Sequence, residues 1–180
     1  MRAAARDDGF SEFVVDRRAR LHRTAYLLCG DAHRAEDIVQ AALTKLYAAW
    51  PRVSRLDSVD AYARRAVVNS HIDETWRPWR RERPVEHGTL DGAFDTAAAP
   101  GVAPEEADAL WTALRALPPG QRRVVVLRHY WGLPVDETAA DLGISPGTVK
   151  SQTSAALRAL RAALTPAESA VESSMESRGQ

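Results

Sequence analysis

Apolar residues recur along the chain three or four positions apart, and no stretch keeps the strict alternation of a half-buried strand. Phe10, Val14, Leu21, Ala25 and Leu28 make one helical stripe, which ends at Gly30. Asp31 can cap the next helix, whose apolar side carries Val39, Leu43, Leu46, Tyr47 and Trp50. Pro51 is expected to stop it. A polar stretch over 52–60 then leads into a third helix at about 61–77.

Beyond it the pattern breaks. Pro78, Pro84, Gly88, Gly92, Pro100, Gly101 and Pro104 punctuate small and polar residues that bury too little apolar surface to order themselves. Residues 78–104 therefore read as a flexible linker. Helical spacing resumes near Glu105, with Leu110, Trp111, Leu114 and Leu117 on one face, and Pro118-Pro119-Gly120 breaks that helix. Another holds Val124, Val125 and Leu127 and closes at Gly132; two more follow, divided at Gly143. The Ser/Glu-rich stretch 165–180 reads as a disordered tail. The expected fold is all-α: a three- to four-helix bundle over 8–77 and a four-helix domain over 105–164.

Composition narrows the function. Hydrophobic residues make up 45% of the 180 and charged residues 27%, as in a soluble protein with a core. Lys+Arg and Asp+Glu both number 24, giving no net charge. Such a chain is a poor candidate for gripping duplex DNA alone, because non-specific affinity comes mainly from neutralised phosphates. The single cysteine, Cys29, excludes an internal disulfide and a cysteine-based zinc cluster, and its apolar setting predicts a small buried hydrophobe. No apolar run approaches the roughly 20 residues of a membrane span, and no signal-peptide core follows Met1; a cytoplasmic protein is expected. His22, His33, His71, His87 and His129 are scattered without metal-ligand spacing and read as surface residues, so neither cofactor nor metal is expected.

The run from Val135 to Lys150 is the most informative, and it reads as a helix-turn-helix. Ala139 is small where two helices must cross, and Gly143 permits the positive φ of the turn. Leu142, Ile144 and Val149 supply apolar contacts, Ser145 can cap the second helix, and Pro146 suits its first position. On that helix Val149, Ala156, Leu160 and Leu164 share the side expected to be buried. Gly147, Lys150, Ser151, Ser154 and Arg158 share the other. Short side chains edged by cations can enter a major groove. A plain helical hairpin is the alternative at this point.

In the first domain, Glu36, Asp37, Gln40 and Lys45 line the polar side of an otherwise ordinary amphipathic helix. On the third helix Arg65, Asn69 and Asp73 repeat every four residues within an arc that also holds Ala61, Ile72 and Trp76. Polar groups in an apolar arc need partners, either each other or a ligand. Tyr62, Trp76 and Trp79 with Arg64, Arg77, Arg80 and Arg81 make a mixture suited to unstacked bases.

Together, Ala35-Glu36-Asp37-Ile38-Val39-Gln40, the run Tyr62 to Asp73, and Leu117-Pro118 through Thr148-Val149-Lys150-Ser151 resemble extracytoplasmic-function sigma factors of the sigma-70 family. Tyr62 to Asn69 and Lys150-Ser151-Gln152 are similar to the SigE-like subgroup frequent in high-GC actinobacteria. The resemblance implies a sigma-2 domain, a linker and a sigma-4 domain in a non-enzymatic subunit that directs RNA polymerase to promoters. Glu36, Asp37 and Gln40 would dock on the β′ clamp helices of core polymerase. The 52–60 loop with Arg64, Arg65, Asn69, Trp76 and Arg77 would recognise and open the −10 element and hold a flipped base. Thr148, Lys150, Ser151, Ser154 and Arg158 would read the −35 element while sigma-4 rests on the β flap. Core polymerase would supply the missing positive charge, and an anti-sigma factor is a further candidate partner. This chain departs from many relatives at Ala155, where they carry Arg, and near Thr153, where they carry a large aliphatic residue. The competing readings are a response-regulator-like operator binder, which lacks a recognisable sensory domain here, and an enzyme, which lacks a phosphate-binding loop or nucleophile elbow.

Overall fold

Gly30, held at φ 74°, separates the first two helices of the computed structural model, which describes residues 2–55, 58–75 and 104–165. The chain divides into two compact units, residues 1–93 and 94–180. Every regular element among the described residues is helical. The expected linker and tail, apart from Pro104 and Thr165, lie outside the described residues, as do Trp76 and Arg77.

In the first unit α1 (Arg2–Cys29) and α2 (Ala32–Val53) run antiparallel, and α3 (Val59–Thr75) packs on both. The reversal is local chemistry: Gly30 adopts the left-handed conformation, and Asp31 Oδ1 accepts from the Arg34 backbone N–H at 2.8 Å to cap α2. Leu21, Ala25 and Leu28 of α1 and Ile38, Val39, Leu43, Leu46 and Trp50 of α2 are all buried. At the far end Phe10 meets Tyr47 and Trp50 edge-on, with ring centroids 5.0 and 5.2 Å apart. Pro51 does not stop α2. Only the last turn follows it, so few hydrogen bonds are lost, and buried Val53 anchors that turn. With α3 beginning at Val59 the described residues of this unit form three helices, and α1 begins at Arg2, ahead of the expected boundary at 8.

The described residues of the second unit form four α-helices: α4 (Pro104–Ala116), α5 (Pro119–Val125), α6 (Val135–Leu142) and α7 (Pro146–Leu164). The end of α5 widens into a π-helical turn, Val126–Tyr130, where Trp131 N donates to Val126 O at 3.1 Å. Val124 to Leu127 are all buried, so the widening keeps four successive apolar residues in the core. Gly120 leaves room for the Gln152 side chain of α7: a Cβ there would stand 3.1 Å from Gln152 Oε1. The core joins Val124, Ala139 and Val149, with Val135, Leu142 and Ile144 packed at its edge. Leu110 is exposed, and so is Leu164, which was expected on the buried side of α7.

Candidate nucleic-acid and polymerase interface

The α6–α7 turn is built from three local devices. Gly143 at φ 63° and ψ 35° ends α6. Ala139 O accepts from the Ile144 N–H at 3.1 Å, so the chain leaves α6 with that carbonyl paired. Ser145 Oγ then accepts from the Thr148 N–H at 3.1 Å, starting α7 on a fixed heading with Pro146 in its first turn. Ala139 is buried at the crossing and Val149 is fully buried beneath it.

That heading sorts the α7 side chains. Val149, Ala156 and Leu160 are buried, whereas Gly147, Lys150, Ser151, Ser154 and Arg158 are exposed along one side. Thr148 is half-buried at the turn, its hydroxyl 2.8 Å from that of Ser145. Ser151 Oγ is also committed locally, donating to Thr148 O at 3.1 Å. Thr153 turns its hydroxyl onto Val149 O at 2.7 Å and so hides its polar atom. Gln152, given no role of its own in the sequence, packs its amide over Gly120 on the inner side of α7.

On the first unit the docking candidates share the outer face of α2. Glu36 Oε1 accepts from Gln40 Nε2 at 2.8 Å and from Arg18 Nη2 at 2.6 Å, and His22 Nε2 lies 3.7 Å from its other oxygen. The Gln40 hydrogen bond, then the Arg18 guanidinium, outweigh partial burial and hold the Glu36 carboxyl below its ordinary range. Asp37 and Gln40 are exposed beside it.

The third helix corrects three expectations. Arg65, Asn69 and Asp73 do not sit in an apolar arc; all three are exposed. The buried side is instead Ala63, Arg64, Ala66, Val67, Val68, Ser70 and His71. Arg64, only 5% exposed, is therefore not on the surface that Arg65 and Asn69 present. His71 is likewise a buried residue rather than a surface one. The Asn69 side chain makes no hydrogen bond to a described residue, while Asp73 accepts from Lys45 Nζ at 2.9 Å.

Among the described residues no three His, Cys, Asp or Glu side chains gather as a metal site. No helix of the described residues is long and apolar enough to cross a membrane. Cys29 is half-buried, donates to Asp31 O at 3.2 Å, and has its thiol pKa pushed up by burial to about 11.

Comparison with known proteins agrees with this geometry. The sequence model described as sigma-70 region 2 matches residues 13–82, and that described as sigma-70, region 4 matches 107–160. The chain is 38% identical over 154 residues to the RNA polymerase sigma-E factor of Streptomyces avermitilis, covering 84% of this chain and 83% of that protein. It is 32% identical over 174 residues to the ECF RNA polymerase sigma factor SigL of Mycobacterium tuberculosis, covering 90% and 93%. Among solved structures, the sigma factor RpoE in complex with the anti-sigma factor NepR, from Bartonella quintana, is similar in fold. It has a TM-score of 0.67 and 22% identity over 89% of this chain and 99% of that one. CnrH in complex with the cytosolic domain of CnrY has a TM-score of 0.59 and 22% identity, over 88% of each chain. By its curated relatives and its two matched regions, this chain belongs to the extracytoplasmic-function group of sigma-70 RNA polymerase sigma factors.

Proposed function

We propose a division of labour between the two units within promoter-specific transcription initiation, the activity that this non-enzymatic family performs through core RNA polymerase. The first unit docks on the polymerase β′ clamp helices through Glu36, Asp37 and Gln40 and opens the −10 element with the exposed Arg65–Asn69 face of α3. The second unit reads the −35 element with the exposed side of α7 and rests on the β flap. Arg64, being buried, supports α3 from within rather than touching DNA.

The observation that carries this reading is the sorting of α7. A capped helix leaves a left-handed glycine turn with its apolar residues buried and Lys150, Ser151, Ser154 and Arg158 exposed together. Short side chains let the helix sink into a major groove, and the flanking cations reach phosphates. The zero net charge fits a subunit whose polymerase partner brings most of the DNA affinity. The site of action is then the cytoplasm, where the polymerase is. An anti-sigma factor is a further partner in this reading, as RpoE of Bartonella quintana has in NepR.

Reconstitution tests it. Core polymerase with this chain should give run-off transcripts from a subset of an upstream-region library, and neither component alone should do so. Tight, sequence-specific duplex binding by the isolated chain at moderate salt would instead assign it to operator binders.

A further inference from the structure

The docking face of α2 does not stand alone: it is tied to α1 through one carboxylate. Glu36 Oε1 accepts two hydrogen bonds, from Arg18 on α1 at 2.6 Å and from Gln40 one turn along α2 at 2.8 Å. We propose that Arg18 is a positioning residue for core-polymerase docking, holding Glu36 and through it Gln40 in the geometry that meets the polymerase. The inference rests on the docking reading of α2 given above.

The physical basis is preorganisation. An exposed glutamate and an exposed glutamine each sample several rotamers, and fixing them at an interface costs affinity. Here the Glu36 carboxylate is held from two directions. Gln40 spends one amide hydrogen on it, which orients the rest of that amide for a partner. Both Arg18 and Glu36 remain partly exposed, with side-chain accessibilities of 48% and 37%. An ion pair so placed adds little to the stability of the helical unit, because solvent screens it and two long side chains must be ordered. Its location beside Asp37 and Gln40 gives it more to do at an interface than in the fold. The alternative effect has the opposite sign. If Arg18 acted only as a charge that offsets the acidic Glu36 and Asp37, removing it would leave a more negative face.

The test measures the affinity of the full chain for core polymerase, its unfolding midpoint, and run-off transcription at saturating core. Arg18→Ala should raise Kd about fivefold with the midpoint in place, the size expected for one exposed ion pair. Transcription at saturating core should be unchanged, and Arg18→Lys should recover most of the affinity. In a Glu36→Gln background, Arg18→Ala should add little, because the carboxylate it positions has been neutralised. Unchanged or tighter binding by Arg18→Ala, while Glu36→Gln and Asp37→Asn bind weakly, would overturn the inference and leave the docking reading standing. A lowered midpoint with no rescue by lysine would also overturn it, by assigning Arg18 to the fold. If none of the Glu36, Asp37 and Gln40 variants changes Kd, the docking reading itself fails, and this inference with it.

Discussion

Lys45 Nζ lies 2.9 Å from Asp73 Oδ2, an exposed ion pair that joins α2 to α3 one helical turn beyond Asn69. It places a cation at the edge of the Arg65–Asn69–Asp73 stripe and gives Asp73 a partner, while Asn69 has none among the described residues. An exposed, unpartnered amide contributes little to folding. Asn69→Ala should therefore shift stability by no more than about 0.5 kcal/mol. If the stripe meets the −10 strand, the same variant should slow open-complex formation, since a flipped base must recover a few kcal/mol of stacking and pairing. A template already unpaired at −10 should restore most of the activity. Equal defects on duplex and bubble templates would remove Asn69 from the melting step.

On α7 the cations and the hydroxyls should behave differently. Lys150→Ala and Arg158→Ala should each weaken holoenzyme binding on all promoters and reduce the salt slope by about 1, as expected when one phosphate is no longer neutralised. Ser154→Ala should change which −35 sequence is preferred and leave the slope alone. Ser151 is the weaker reader, because its hydroxyl is already directed to Thr148 O. Unchanged transcription by Lys150→Ala and Arg158→Ala on every promoter would mean that this side of α7 does not touch DNA.

Much of this fold was legible because its signals are local. Gly30, Asp31, Gly143 and Ser145 each act within a turn of their own position, and each does what its side chain or missing side chain allows. The exposed side of α7 followed from the same periodicity that buried Val149, Ala156 and Leu160. What went unseen depends on partners remote in sequence. The α3 face was misjudged because its buried side is a mixture of alanine, valine, Ser70, His71 and Arg64, so the apolar residues alone do not mark it. Spacing showed that Arg65 and Asn69 share a face, but only packing against α1 and α2 decides that this face is the outer one. The Arg18–Glu36 bond joins positions 18 apart on different helices, and no pattern in either helix announces it.

The turn itself can be tested without DNA. Gly143 sits at φ 63°, and a Cβ added there would meet nothing within 4 Å, so substitution is opposed by backbone strain alone. Gly143→Ala should cost roughly 1–2 kcal/mol, and Gly143→Asn less, because asparagine tolerates the left-handed region. Ser145→Ala should cost about 1 kcal/mol by removing the cap on α7. Denaturant unfolding of the full chain would rank the three. Equal effects of alanine and asparagine at 143 would show that the glycine is needed for something other than its φ.

Cys29 provides the last test, of whether the chain carries a reactive thiol. Burial raises its pKa from 9.0 to about 11. The nucleophile is the thiolate, and two pKa units mean a thiolate population about a hundredfold smaller at pH 8. Native Cys29 should therefore be alkylated about a hundredfold more slowly than a free cysteine, and at the free rate once the chain is unfolded in urea. Because the folded state favours the neutral thiol, whatever stability Cys29 contributes is intact below pH 9.0. It is lost as the pH rises through about 11, where the unfolded chain has already ionised. Cys29→Ala should flatten that alkaline loss. Alkylation of the native chain within a few-fold of free cysteine would mean that the thiol is accessible and ionised, and would point to a redox role that its half-buried seat at the end of α1 argues against.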